Sequence, residues 1–195
     1  MKIRENIEWT NIWSVNADTD DKYRILLVGD SICNGYYQVT ADNIKDKANV
    51  DKLATSRAID TAFFKNQLKN MLDDFEYNLI HFNNGLHGFH LSAVDYEKSY
   101  REIIEIMLVK SKVILATSTP VMQSGTFDVI DEKAYGIVKS RNEVVFKLAD
   151  EYKLAVNDLY NAVKDNYKIR AADGYHYTEE GYKILGDFVA QNIIL

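Results

Sequence analysis

The stretch RILLVGDSICNGYYQ, residues 24–38, decides the fold. Its apolar run 24–28 is short, as expected of a strand covered on both faces of a parallel sheet. A Gly-Asp-Ser turn then leads straight into a helical segment, so Ser31 stands directly beyond the strand's carboxyl end. Working outward, four more short candidate strands lie at 49–53, 78–82, 112–117 and 154–157. The segments between them carry helical periodicity. Tyr96, Tyr100, Ile103 or Ile104 and Met107 recur at three- and four-residue steps, giving one apolar face. The segments 131–152 and 178–192 read the same way, with Thr178 as an N-cap. After the second strand Ile59, Ala62, Phe63, Leu68, Met71 and Leu72 form a broader stripe. Five β-α alternations predict an α/β domain with helices on both faces of a parallel sheet, in one of a few doubly wound orders. In such sheets ligands sit beyond the carboxyl ends of the strands.

The length of 195 residues fits a single domain, 1–195, with 1–22 as an N-terminal extension packing on it. Trp9 and Trp13 in that extension form a small flap, and the acidic residues 17–24 form a solvated loop. One Cys excludes an internal disulfide framework and a multi-cysteine zinc site. A net charge of -6 with no Lys/Arg cluster argues against a nucleic-acid groove. The longest aliphatic runs, ILLV and VILA, are far short of a membrane span, and the charged start MKIRENIEWTNIW is unlike a secretory signal. The expected location is therefore cytoplasmic.

Chemistry gathers beyond the strand ends. Ser31 is a nucleophile candidate, or simply a helix cap. The phosphate loop GxxxxGK[ST] and the dinucleotide GxGxxG are both absent. The elbow GxSxG fails because Cys33 stands where its second glycine belongs. Near the other end, in AADGYHYTEEGY, Asp173 and His176 lie three residues apart in a loop before the last helix. A serine hydroxyl is a weak nucleophile until a base accepts its proton. A histidine serves that need, and an acid can hold its tautomer. Taken alone, Asp-x-x-His is also an ordinary surface loop.

The pair of blocks, GDSI after the first strand and DGYHYTEEGY before the last helix, resembles the first and last blocks of the SGNH hydrolase superfamily, the GDSL-type esterases and lipases. The resemblance spans residues 24–190. It implies a three-layer α/β/α flavodoxin-like domain with a five-stranded parallel sheet. It also implies catalytic roles: Ser31 as nucleophile, His176 as base and Asp173 as orienting acid. The implied oxyanion donors are the Ser31 N–H, the N–H of Ser56 where the family has a glycine, and the side chain of Asn83, with Asn84 as the alternative. Phe82 and Asn84 depart from the family's third block, and both asparagines also suit a turn ahead of Gly85.

Arg57, His87 and Tyr175 are candidates for substrate binding. Arg57 equally suits a surface position at a helix start. His81, His87 and His90 invite a metal reading, but no HExxH pattern accompanies them, and no metal or organic cofactor is expected. Tyr36, Tyr37, Tyr175 and Tyr177 flank the site residues, where they either pack or line a pocket. The loop of Pro120 is expected at the cleft border. The resulting expectation is a serine esterase acting on a short acyl ester, acetyl on a carbohydrate being one candidate. The alternatives are an inactive carbohydrate-binding protein of the same fold and an acyltransferase with the same triad. The partner is a small-molecule or carbohydrate ester, with no nucleic acid and no membrane.

Overall fold

The structure, a computed structural model, describes residues 3–193. Met1 and Lys2 of the N-terminal extension and residues 194–195 lie outside the described residues. The strands are β1 (Thr10–Trp13), β2 (Tyr23–Gly29), β3 (Ala48–Thr55), β4 (Leu79–Phe82), β5 (Lys112–Ala116) and β6 (Ala155–Asn157). The helices are α1 (Ser31–Ile44), α2 (Ala62–Asp74), α3 (Ala93–Leu108), α4 (Glu132–Tyr152), α5 (Leu159–Val163) and α6 (Glu179–Asn192). The strands form one sheet in the order β1-β3-β2-β4-β5-β6. From β3 to β6 every pairing is parallel, the second-first-third-fourth-fifth order of a flavodoxin-like sheet.

The expected sheet of five parallel strands is corrected here. A sixth strand, β1, runs antiparallel along the outer edge of β3, with Thr10 opposite Thr55 and Trp13 opposite Lys52. The N-terminal tryptophans are thus not a loose flap. Trp13 belongs to that edge strand and stays exposed, and Trp9 stands just before it.

Strand side chains alternate between two cores. Ile25, Leu27, Leu79, Ile114 and Ala116 face α1 and α6, while Leu26, Val28, Ile80, Phe82, Val113 and Leu115 face α2, α3 and the end of α4. On α3, Tyr96, Tyr100, Ile103, Ile104 and Met107 are buried together, as their spacing predicts. On α2 the buried face is Phe64, Leu68, Met71 and Leu72. Phe63 points out, because one residue step turns a helix by about 100°. Among the described residues no helix is long and apolar enough to cross a membrane.

His81 sits in the middle of β4 on the α1 side, fully buried, with Tyr36 edge-on at 6.3 Å. Neither ring nitrogen has a hydrogen-bond partner, and burial pushes its pKa from 6.5 down to about 4. The unfolded chain takes up this proton as pH falls below its ordinary value; the folded chain does so only near 4. Stability from a neutral buried His81 is therefore complete above pH 6.5 and lost as pH falls toward 4. The loss is of order 3 kcal/mol at most. His81→Leu is expected to flatten the fall in stability across this window, measured as urea midpoints at neutral and acid pH.

Candidate active site

The first site residue is placed by the β2–α1 turn. Asp30 caps α1, its Oδ1 accepting the Ile32 N–H at 3.0 Å, so Ser31 is the first helical residue and not the cap. Gly29 is needed for closeness more than for an unusual backbone angle. A Cβ there would lie 2.4 Å from the Cβ of Cys33.

The opposite wall is the loop between Arg170 and Tyr177, which bridge each other at its base. The segment after β5 fastens it from behind: the Met122 N–H donates to the Gly174 carbonyl at 2.9 Å, and the Gly125 N–H to that of Ala172 at 2.7 Å. Gly174 has φ +85°, and a Cβ there would lie 2.1 Å from the Met122 carbonyl oxygen, so both backbone angle and space require glycine. Thr178 ends the loop, its Oγ1 capping α6 by accepting the Gly181 N–H at 3.3 Å.

Across these two turns the three side chains form one hydrogen-bonded run. Asp173 Oδ1 accepts the N–H groups of Tyr175 and His176, both at 2.9 Å. Asp173 Oδ2 lies 2.6 Å from His176 Nδ1, and His176 Nε2 lies 2.8 Å from Ser31 Oγ. Burial raises the Asp173 pKa, but the His176 and Tyr175 N–H groups and the His176 ring outweigh it, leaving the carboxyl below its ordinary value. An ionised Asp173 only accepts, so Nδ1 carries the proton and Nε2 accepts from the Ser31 hydroxyl.

The two asparagines differ sharply. The Asn83 amide donates to the Ala116 carbonyl at 2.8 Å and to Ser118 Oγ at 3.1 Å, so both its protons are committed to tying the turn after β4 to the end of β5 and the segment beyond it. The Asn84 amide donates to the Arg57 carbonyl at 3.1 Å, which leaves one amide proton uncommitted. The Ser56 N–H donates to the Trp9 carbonyl at 3.1 Å, an engagement created by the edge strand β1.

A cavity of about 490 Å³ opens at Ser31 and His176, lined also by Ser56, His87, Phe89 and Tyr175. Of the proposed binding residues, His87 and Tyr175 line it. Arg57 does not: it pairs with Glu8, lies over the Phe63 ring at 4.4 Å, and lines a neighbouring cavity. Tyr36, Tyr37 and Tyr177 are buried and do not line the cavity of Ser31. Pro120 is buried as well, and its loop supports the Asp173 loop rather than lining the cavity. The three histidines of the metal reading do not converge. His81 is in the core, His87 pairs with Glu5, and His90 stands 3.9 Å from Asp60.

Arg141 was not among the candidates. From the middle of α4 its buried guanidinium donates to the carbonyls of Gly85 (2.8 Å), His87 (2.7 Å) and Gly88 (2.6 Å), shaping the loop that lines the cavity. Phe89 and Tyr96 cover its faces. Nothing in the pattern of α4 distinguishes this arginine from a solvated one. Arg141→Leu is expected to destabilise the protein by roughly 2–4 kcal/mol, because three carbonyls, two of them in fully buried bonds, lose a charged donor. Urea unfolding reads the change.

No protein-family model matches the chain, and no curated protein matches it in sequence. Solved structures do match. A G-D-S-L lipolytic protein from Veillonella parvula is 17% identical with a TM-score of 0.73, over 88% of this chain and 98% of that one. The aryl esterase of M. smegmatis and a carbohydrate acetylesterase from Sinorhizobium meliloti match with the same figures: 17% identity, TM-score 0.73, 88% of this chain and 98% of theirs. At such identities the likeness is one of fold: the chain has the architecture of SGNH and GDSL-type hydrolases.

Proposed function

We propose that this protein is a serine esterase that cleaves short acyl esters through an acyl-enzyme. The observation that carries the reading is the run Asp173–His176–Ser31, closed at 2.6 and 2.8 Å at the mouth of a cavity. Ser31 Oγ attacks the ester carbonyl carbon while its proton passes to His176 Nε2. Asp173 stabilises the imidazolium that forms. The tetrahedral oxyanion is met by the Ser31 N–H at the start of α1. The second donor we assign is Asn84, fully buried and outside the cavity lining but with one amide proton free of its bond to the Arg57 carbonyl. The C–O bond to the alcohol then breaks, and the alcohol takes the proton from His176. Water, deprotonated by His176, attacks the acyl carbon and restores Ser31 with release of the carboxylic acid. Asn84 takes the donor role here in place of Asn83, whose amide protons are both engaged.

A short acyl group, acetyl on a saccharide in particular, suits the modest cavity with its mixed lining of Ala58, Leu86, Phe89, His87 and Tyr175. The acetylesterases of the same fold point the same way. The test is hydrolysis of 4-nitrophenyl acetate, butyrate and octanoate, together with acetate release from an acetylated xylo-oligosaccharide. Acetate esters are expected to be cleaved fastest. Preference for octanoate would overturn the substrate class, and inertness toward all four would overturn the enzyme reading.

A further inference from the structure

Residues 3–8 wall two cavities at once. Ile3, Arg4, Glu5 and Glu8 line the cavity of Ser31, and Ile3, Arg4 and Glu8 also line a neighbouring one of about 380 Å³ with Arg57, Asp60 and Phe63 on its other side. Side-chain contacts hold the segment there. Glu5 accepts from His87 Nδ1 at 2.9 Å and from the Gly88 N–H at 3.3 Å. Glu8 pairs with Arg4 at 3.0 Å and with Arg57. Just behind, the Trp9 N–H donates to Ser56 Oγ at 2.8 Å, fixing where the segment leaves the sheet.

We infer that Glu5 and Glu8 are specificity-determining residues that hold residues 3–8 as a partition between the two cavities. In place, the partition confines the reacting ester to the cavity of Ser31. Released, it joins the cavities and admits a larger molecule. This rests on the esterase reading for the word ester, but the partition itself can be measured without turnover. Cys33, the one native cysteine, is buried with its thiol pushed up to about 12, so it stays inert. In a Ser31→Cys protein the introduced thiol therefore reports access to the cavity.

The experiment compares alkylation of that thiol by N-ethylmaleimide and by fluorescein-5-maleimide, which share one reactive group and differ in bulk. It is run in Ser31→Cys alone, with Glu5→Ala/Glu8→Ala added, and with Glu5→Gln/Glu8→Gln added. The ratio of bulky to small rate is expected to rise at least tenfold when the carboxylates are removed. A thermal melt confirms folding, and the glutamine pair decides if the alanine pair is unfolded. An unchanged ratio in the folded variants overturns the partition. Ester hydrolysis by the wild type is read separately, so inertness toward esters defeats the esterase reading and leaves the access measurement standing.

Discussion

Ser31→Ala is expected to yield a folded protein whose rate on 4-nitrophenyl acetate is at least about 10³-fold lower. The fold survives because the Ser31 hydroxyl bonds to His176 alone, while α1 is capped by Asp30. Substrate affinity changes little, since the cavity keeps its other lining residues. The loss therefore falls on kcat, with the Tm close to that of the wild type. His176→Ala is expected to fall as far, because a serine without its base is only a weak nucleophile. The two defects should not add in the double variant, since the pair acts as one unit. Wild-type turnover by Ser31→Ala would remove Ser31 from the mechanism.

The second large effect separates the adjacent asparagines. Asn84→Ala is expected to lower kcat by about 10²–10³-fold, the cost of one oxyanion donor, with KM within a few-fold of the wild type. Asn83→Ala is expected to act on stability instead. Its amide meets two buried acceptors, the Ala116 carbonyl and Ser118 Oγ, and their loss costs roughly 1–3 kcal/mol. Steady-state kinetics and urea unfolding of both variants make the comparison. A reversed pattern, with Asn83→Ala crippled in turnover and Asn84→Ala merely less stable, would return the donor role to Asn83.

What the sequence made legible is what depends on local pattern. The strands β2, β4 and β5 are short, mainly apolar runs, and Thr178 is a cap that its neighbours alone recommend, whereas β3 buries Asn49, Asp51 and Lys52 within its length. The Asp173–His176 contact closes within a single turn, so spacing predicts it. The meeting of Ser31 with His176, 145 residues away, follows from strand order, since both lie beyond the carboxyl ends of the sheet. What escaped depends on partners distant in the chain. β1 is four half-exposed residues whose strand character comes from pairing with β3. That pairing in turn engages the Ser56 N–H, which no inspection of the residues around 56 reveals. Asn83 and Asn84 read alike as neighbours, but alternation sends their side chains to different surroundings. Gly29 is likewise required by a contact that the local pattern does not announce, the close approach of Cys33 across the β2–α1 turn.

The central claim is that Ser31 is a nucleophile activated by His176. It is tested most directly by treating the protein with a fluorophosphonate and mapping the adduct by peptide mass spectrometry. One adduct is predicted, on Ser31, forming far more slowly in His176→Ala and absent from Ser31→Ala. No adduct on the folded wild type, or an adduct on another residue with Ser31 unmodified, would contradict the account.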